Sequence, residues 1–445
     1  MKREDPRVDR YVVISSDCHA GLETPEYRDY VDPQHREAFD DSLVEREAMI
    51  QAMRAERGGM LMGGDDEFQE EWFGHEEGEE SLHEGGLRCG WDAPKRDKEL
   101  DNDGVAGEVI FPGPDAATGS MGAPFGAGLV INADLDPALL LAGARAYNRW
   151  CAELCAHSPE RRKGLAVAPI LGHVDGAVAE IRRAHDSGLH GGVLIPAQWG
   201  PYPSYAHDLY DPVWATCEEL HLPVHTHSGP GAHQDYGTGE GFYGMYVAET
   251  RWWTARPLWF LLCAGVFERF PGLRFAVTEA GSFWAADLLW MLDDTYNRNH
   301  GARKTANRFK NLTMKPSDYF DRNIKIGSSN TRRREIARRF EIGVDNIMWG
   351  NDFPHPEGTW PYTRQFLAER FWDVPVDETA KMLGLNHADF YGFDVDALRP
   401  IADRIGPTPE ELGQTDEAAC AKWDDLRAAG RPWLTGREAV TTAMH

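Results

Sequence analysis

Two pairs of metal-donor side chains stand two residues apart. In "YVVISSDCHAG" (residues 11–21) a short apolar run leads into Asp17-Cys18-His19, and in "LPVHTHSGPG" His225 and His227 repeat that spacing. On an extended strand residues i and i+2 point to the same side, so each pair presents its side chains together. Imidazole nitrogens and carboxylate oxygens are what a divalent transition metal takes at neutral pH. A lone histidine on an apolar strand is more often a core residue; two on one face, with Asp17 and His19 elsewhere, argue for chelation. Two further apolar runs end in acids. Glu279 closes "FAVTEAGSFW", and in "IMWGNDFPHPEGTWP" Asp352 is followed by His355 and Glu357, with proline on either side of His355 bracing the loop. A carboxylate at the end of an apolar strand is costly unless paired or metal-bound. The candidate ligands are therefore Asp17, His19, His227, Glu279, Asp352, His355 and Glu357. His225 lies a layer deeper, as a ligand or as hydrogen-bonding support. Glu279, His225 and His355 are the candidates for moving protons.

Such residues need elements that bring them together. Short β-branched runs fall at 11–15, 108–112, 164–169, 192–196, 222–226, 273–278, 323–328 and 345–350. Helical patterns separate them at 137–157, 174–187, 208–220, 256–270, 282–297, 331–341 and 362–372. Strand alternating with helix means parallel βαβ units, and eight such units predict an α/β fold of the (β/α)8 TIM-barrel type. The named polar residues lie at strand C-terminal ends or just past them, which in a barrel converge on one face. The stretch 20–105 is too long for a simple crossover and reads as an inserted helical cap. A barrel over 1–400 with a tail over 401–445 is the expected domain organisation; "DETAKMLGLNHADFYGFD" reads as a terminal helical extension packing on the barrel.

Composition narrows the function classes. The 445 residues carry a net charge of −26, which argues against nucleic-acid or anionic-membrane binding. Nine acids and no Lys or Arg fall within "DDEFQEEWFGHEEGEE", residues 65–80, which reads as a solvated surface insertion. No run is long enough for a membrane span. The charged start "MKREDPRVDR" and seven scattered cysteines suggest a reducing, cytoplasmic setting. A homodimer is expected on the general habit of enzymes this size.

The strand-one DxH, the HTHSG after strand five and the WGNDFPHPEGTWP after strand eight resemble the amidohydrolase-related metal-dependent TIM-barrel family, from residue 11 to about 393. That resemblance implies metal-ligand roles for Asp17, His19, His227 and Asp352. Two departures stand out. Many members carry a histidine acid/base after strand six, where this chain has Glu279, and strand four, "GGVLIPAQWG", lacks the metal-bridging lysine of dinuclear members. In its strand-six glutamate the chain is similar to TIM-barrel nonheme diiron monooxygenases of diterpenoid biosynthesis, the platensimycin and platencin type.

That second resemblance implies two nonheme irons bridged by Glu279 or Asp352, dioxygen, an external electron donor and a terpenoid substrate carried on coenzyme A. Trp199, Phe242, Tyr243, Tyr246, Trp253 and Trp284 would wall an apolar pocket. Arg332 and Arg333 would hold the phosphates at a helix start. The expectation is thus a diiron monooxygenase. The alternative is a hydrolase or nonoxidative decarboxylase with one zinc or manganese, which would polarise a water or carbonyl.

Overall fold

The arrangement follows from eight short strands whose residues are almost all buried. The computed structural model describes residues 9–56, 90–113, 123–128, 136–228, 241–299, 309–355, 358–415 and 421–431. Within them run β1 (Ile14–Ala20), β2 (Gly107–Pro112), β3 (Arg162–Val167), β4 (Gly192–Leu194), β5 (Val224–His227), β6 (Phe275–Thr278), β7 (Ile324–Ser329) and β8 (Ile347–Gly350). They form one sheet in sequential order, every neighbouring pair parallel. Sequential parallel order with a helix in each crossover is the (β/α)8 barrel. The ring is joined just beyond β8: Asp352 N–H donates to Asp17 O at 2.9 Å, and His19 N–H donates to Phe353 O at 2.6 Å.

Two apolar layers hold the barrel. Outward residues such as Val193, Val224, Phe275, Val277 and Ile326 pack under the helices. Ile14, Val109, Phe111, Leu165, Leu194, Ala276 and Met348 belong to a second cluster with Phe390 and Tyr391. The segment Asn386–Tyr391 docks on β8, where the Asn386 amide donates to Val344 O and Ile347 O at 2.9 and 2.7 Å.

Three element readings need correction. β1 runs to Ala20, not 15, so Asp17 and His19 lie on the strand itself. The polar run SSDCHA hid this, because inside a barrel the usual apolar pattern gives way where a site is built. A bulge between Ser15 and Cys18 shifts its register against β2. The helix expected at 256–270 spans Phe242–Cys263 and carries Pro257 in its interior. That expected at 331–341 is two short pieces, Arg333–Ala337 and Arg339–Ile342. Between β1 and β2 the described residues hold the helices Arg36–Glu56 and Ala93–Asp103; the acidic stretch 65–80 lies outside the described residues. No helix among the described residues is long and apolar enough to cross a membrane.

Candidate metal centre

Asp17 and His19 reach the site from β1, His227 from the end of β5, and Asp352 and His355 from the loop after β8. Asp17 Oδ1 lies 3.0 Å from His227 Nε2 and 3.4 Å from His19 Nε2. His19 Nε2 is also 3.3 Å from Asp352 Oδ1, which His355 Nδ1 meets at 2.9 Å. The imidazoles of His19 and His355 stack at 4.0 Å between centroids. Two overlapping groups result, Asp17–His19–His227 and His19–Asp352–His355, in each of which the donor atoms all lie within 4.8 Å of one another. Gly350 permits this approach: a Cβ there would sit 2.8 Å from Asp17 Cβ.

The polarity of the group is informative. His19 Nδ1 donates to Pro112 O at 2.8 Å, and His227 Nδ1 donates to Ser228 O at 2.6 Å. In each neutral ring that leaves an Nε2 lone pair, and both lone pairs point at carboxylate oxygens. His19 Nε2 is buried with no hydrogen-bond partner. Acceptors facing acceptors in a dry interior repel unless a cation sits among them, so this donor set fits a divalent ion. The alternative occupant is a proton. Burial disfavours a charged His19, but the Asp17 and Asp352 carboxylates beside it outweigh that and raise its pKa to about 10. For Asp17, burial is likewise overcome, by the His227 and His19 rings, and its carboxyl is held well below the usual carboxylate range. Ser329 donates to its second oxygen.

Glu279 is placed behind this group rather than within it. Its carboxylate lies 3.3 Å from His227 Nδ1, on the side of the ring away from Asp17. A carboxylate in that position is suited to orienting the His227 ring and not to bridging two ions. Glu279, Asn330 and Asp352, just past β6, β7 and β8, have φ of 57°, 49° and 59°. Left-handed backbone in non-glycine residues costs about 1 kcal/mol or more each, and here it sits at the rim that carries the site.

Other candidates lie elsewhere. His225 is fully buried with neither ring nitrogen partnered among the described residues, and its ring stacks on Tyr391 at 5.6 Å and 12°. Burial pushes its pKa down to about 3, so it stays neutral. Trp284 is buried in the layer between strands and helices, which removes it from a pocket wall. Trp199 packs edge-on to Phe260 and Tyr205 beneath the Arg256 guanidinium. Tyr246 and Trp253 lie half-buried on the helix Phe242–Cys263; the side chains of Phe242 and Tyr243, and the whole of Glu357, fall outside the described residues. Arg333 is clasped by Asp373 at 2.6 and 2.7 Å, which engages the charge assigned to a phosphate, while Arg332 is exposed.

Sequence reasoning missed several residues around the ligands. Ser329 ends β7 and Asn351 follows β8, close to where the named acids lie, but an uncharged side chain drew no attention. Arg96 and Asp103 lie in the inserted stretch, where only the periodicity of a polar helix could have singled them out. A recess of about 10 Å³ beside His19 is lined by Gly21, Gly90, Trp91, Gly113 and Pro354.

Residues 113–393, more than half of the chain, match the amidohydrolase family Amidohydro_2. A gamma-resorcylate decarboxylase of Rhodococcus jostii is 29% identical over 228 residues, 47% of this chain. The match spans 66% of that relative, just under two thirds of its length. Among solved structures, 2,6-dihydroxybenzoate decarboxylase from Rhizobium superposes with a TM-score of 0.55 at 19% identity, over 87% of this chain and 99% of its own. A 5-carboxyvanillate decarboxylase from Novosphingobium aromaticivorans, complexed with manganese and a nitrobenzoic acid, gives 0.59 at 16%, over 86% and 96%. These structures share the fold. The relatives correct the diiron monooxygenase expectation, since they are decarboxylases; of the two carboxylates expected to bridge irons, Glu279 lies behind His227, while Asp352 stays in the group.

Proposed function

Because the chain belongs to the amidohydrolase family, we propose that it is a metal-dependent enzyme that removes a carboxyl group from a hydroxylated aromatic acid without oxidation. One observation carries the metal reading: two buried imidazole lone pairs, those of His19 and His227, face the carboxylate oxygens of Asp17 and Asp352 instead of a donor. The decarboxylase relative and the decarboxylases sharing the fold support the reaction class. Asp17, His19, His227 and Asp352 would hold the ion, and manganese, present in one of those structures, suits this mixed oxygen and nitrogen set. Bound there, the ion supplies a Lewis acid for the substrate's oxygens.

The protein's own part is to manage one proton. Decarboxylation breaks the bond between the ring carbon and the carboxyl carbon, releases carbon dioxide and forms a C–H bond in its place. No external electrons are needed. The side chains of Asp17, His19, His227 and Asp352 are sealed at 3% exposure or less, whereas those of His355 and Glu279 reach 15% and 20%. Those two are the groups placed to exchange a proton with solvent and pass it inward. The test is direct. Protein loaded with manganese should release carbon dioxide from 2,6-dihydroxybenzoate or 5-carboxyvanillate at equal rates in air and under nitrogen. Loaded protein that leaves every ortho-hydroxyaryl acid intact would refute the assignment.

A further inference from the structure

The helix Ala93–Asp103 buries an unexpected set of side chains. Its sequence, APKRDKELDND, offers one large apolar residue, Leu100, yet Arg96, Glu99 and Asp103 are buried with it. Withdrawing charged groups from water is costly unless each meets a specific partner, and an apolar face would fix a helix at least as well. Arg96 and Asp103 are seven residues apart and therefore share a face across two turns.

What they touch explains the burial. Arg96 Nη1 donates to the main-chain carbonyl of His19 at 2.9 Å, while Nε and Nη2 clasp Glu108 at 2.6–3.0 Å. Its guanidinium lies 4.8 Å from the centre of the Phe353 ring, and Phe353 O receives the N–H of His19. Arg96 thus grips both sides of the join between β1 and the segment after β8. At the far end of the helix, Asp103 accepts from Thr363 N–H at 3.0 Å and from the Asn351 side-chain amide at 3.3 Å. The Asn351 oxygen accepts from Ser15 Oγ, Cys18 Sγ and Phe353 N at 2.8, 3.2 and 3.2 Å. With its oxygen turned to those three donors, the Asn351 amide nitrogen needs an acceptor, and Asp103 supplies it. Asn351 immediately precedes Asp352.

We propose that this helix is a positioning element for the metal centre, in which Arg96 and Asp103 hold the segments bearing His19 and Asp352 at the spacing an ion requires. The inference rests on the metal reading given above. Neither residue touches the ion; both act through the backbone and through Asn351.

The test uses the full chain and the metal alone. Asp103→Asn and Arg96→Lys are compared with the wild type and with Glu378→Gln, which loosens an equally buried ion pair, with Arg339, between helices away from the rim. Titration with Mn²⁺ should show affinity lowered about tenfold or more in the first two variants and within about twofold of wild type in the third. The visible spectrum of the Co²⁺-loaded Asp103→Asn protein should shift, since ligand geometry changes. Asp103→Asn is nearly isosteric and keeps the test open if Arg96→Lys fails to fold. Reduced thermal stability with Mn²⁺ affinity and Co²⁺ spectrum unchanged would overturn the proposal, because the helix would then only pack. A wild type that takes up no divalent ion would instead overturn the metal reading, and this inference with it.

Discussion

His225 and His227 lie on one short strand, two residues apart, and are both buried, yet they occupy opposite environments. His227 meets Asp17 through one nitrogen and Ser228 O and Glu279 through the other. His225 is surrounded by the rings of Phe111, Phe390 and Tyr391. The divergence is plainest between His225 and His19, both fully buried. Burial drives one down to about 3, and two carboxylates drive the other up to about 10. Burial alone therefore says nothing of charge. The identity of the neighbours one layer up or down decides whether an imidazole awaits a cation or stays neutral.

The sharpest way to break this contrast is to remove the carboxylate that defines the upper layer. Asp17→Asn should weaken Mn²⁺ binding by about 100-fold or more and abolish carbon dioxide release; calorimetric titration would expose an unchanged affinity, which would dismiss the rim as a site. Proton competition gives the next effect. His19 has a folded pKa of about 10 against an ordinary 6.5, so its contribution to metal-free stability is complete below 6.5 and is lost as pH rises towards 10. Thermal melts of the metal-free protein should fall across that window. If binding displaces one proton, apparent metal affinity should rise roughly tenfold per pH unit over the same range. A smaller effect is expected for Glu279→Gln, which keeps the side chain's size beside His227 but loses the charge: affinity should drop about three- to tenfold, read by chelator competition. Smallest is His225→Leu. It removes two unpartnered nitrogens from a ring-lined space, so Mn²⁺ affinity should stay within about threefold, with stability changed by no more than about 1 kcal/mol. A large loss of metal there would erase the distinction between the layers.

Much of the architecture could be read before any coordinates. Eight β-branched runs alternating with helices specify the parallel barrel, since period and order alone fix the class. Strand-end acids and histidines were conspicuous because a charge after an apolar run needs a reason, and the structure brings Asp17, His19, His227, Asp352 and His355 into contact. The support around them was far less legible. Asn351 and Ser329 are ordinary polar residues until a partner from a distant strand faces them. Glu279 marked the right rim, yet only its side of the His227 ring separates a bridging ligand from an orienting one. Of the aromatic wall, Trp284 was misplaced for a related reason: large rings are equally at home under a helix.

The first strand and the segment just after the last meet through two main-chain hydrogen bonds, and their four partners are Asp17, His19, Asp352 and Phe353. Three of those four also supply donor atoms to the rim. The ring's closing stitch and its ion cradle are thus a single object, and a bound cation would rivet the seam. Amide exchange at His19 and Asp352 should slow more on loading than anywhere else in the sheet. Stripping the ion should speed exchange first at those two amides, so the seam would report occupancy as well as hold the ring together.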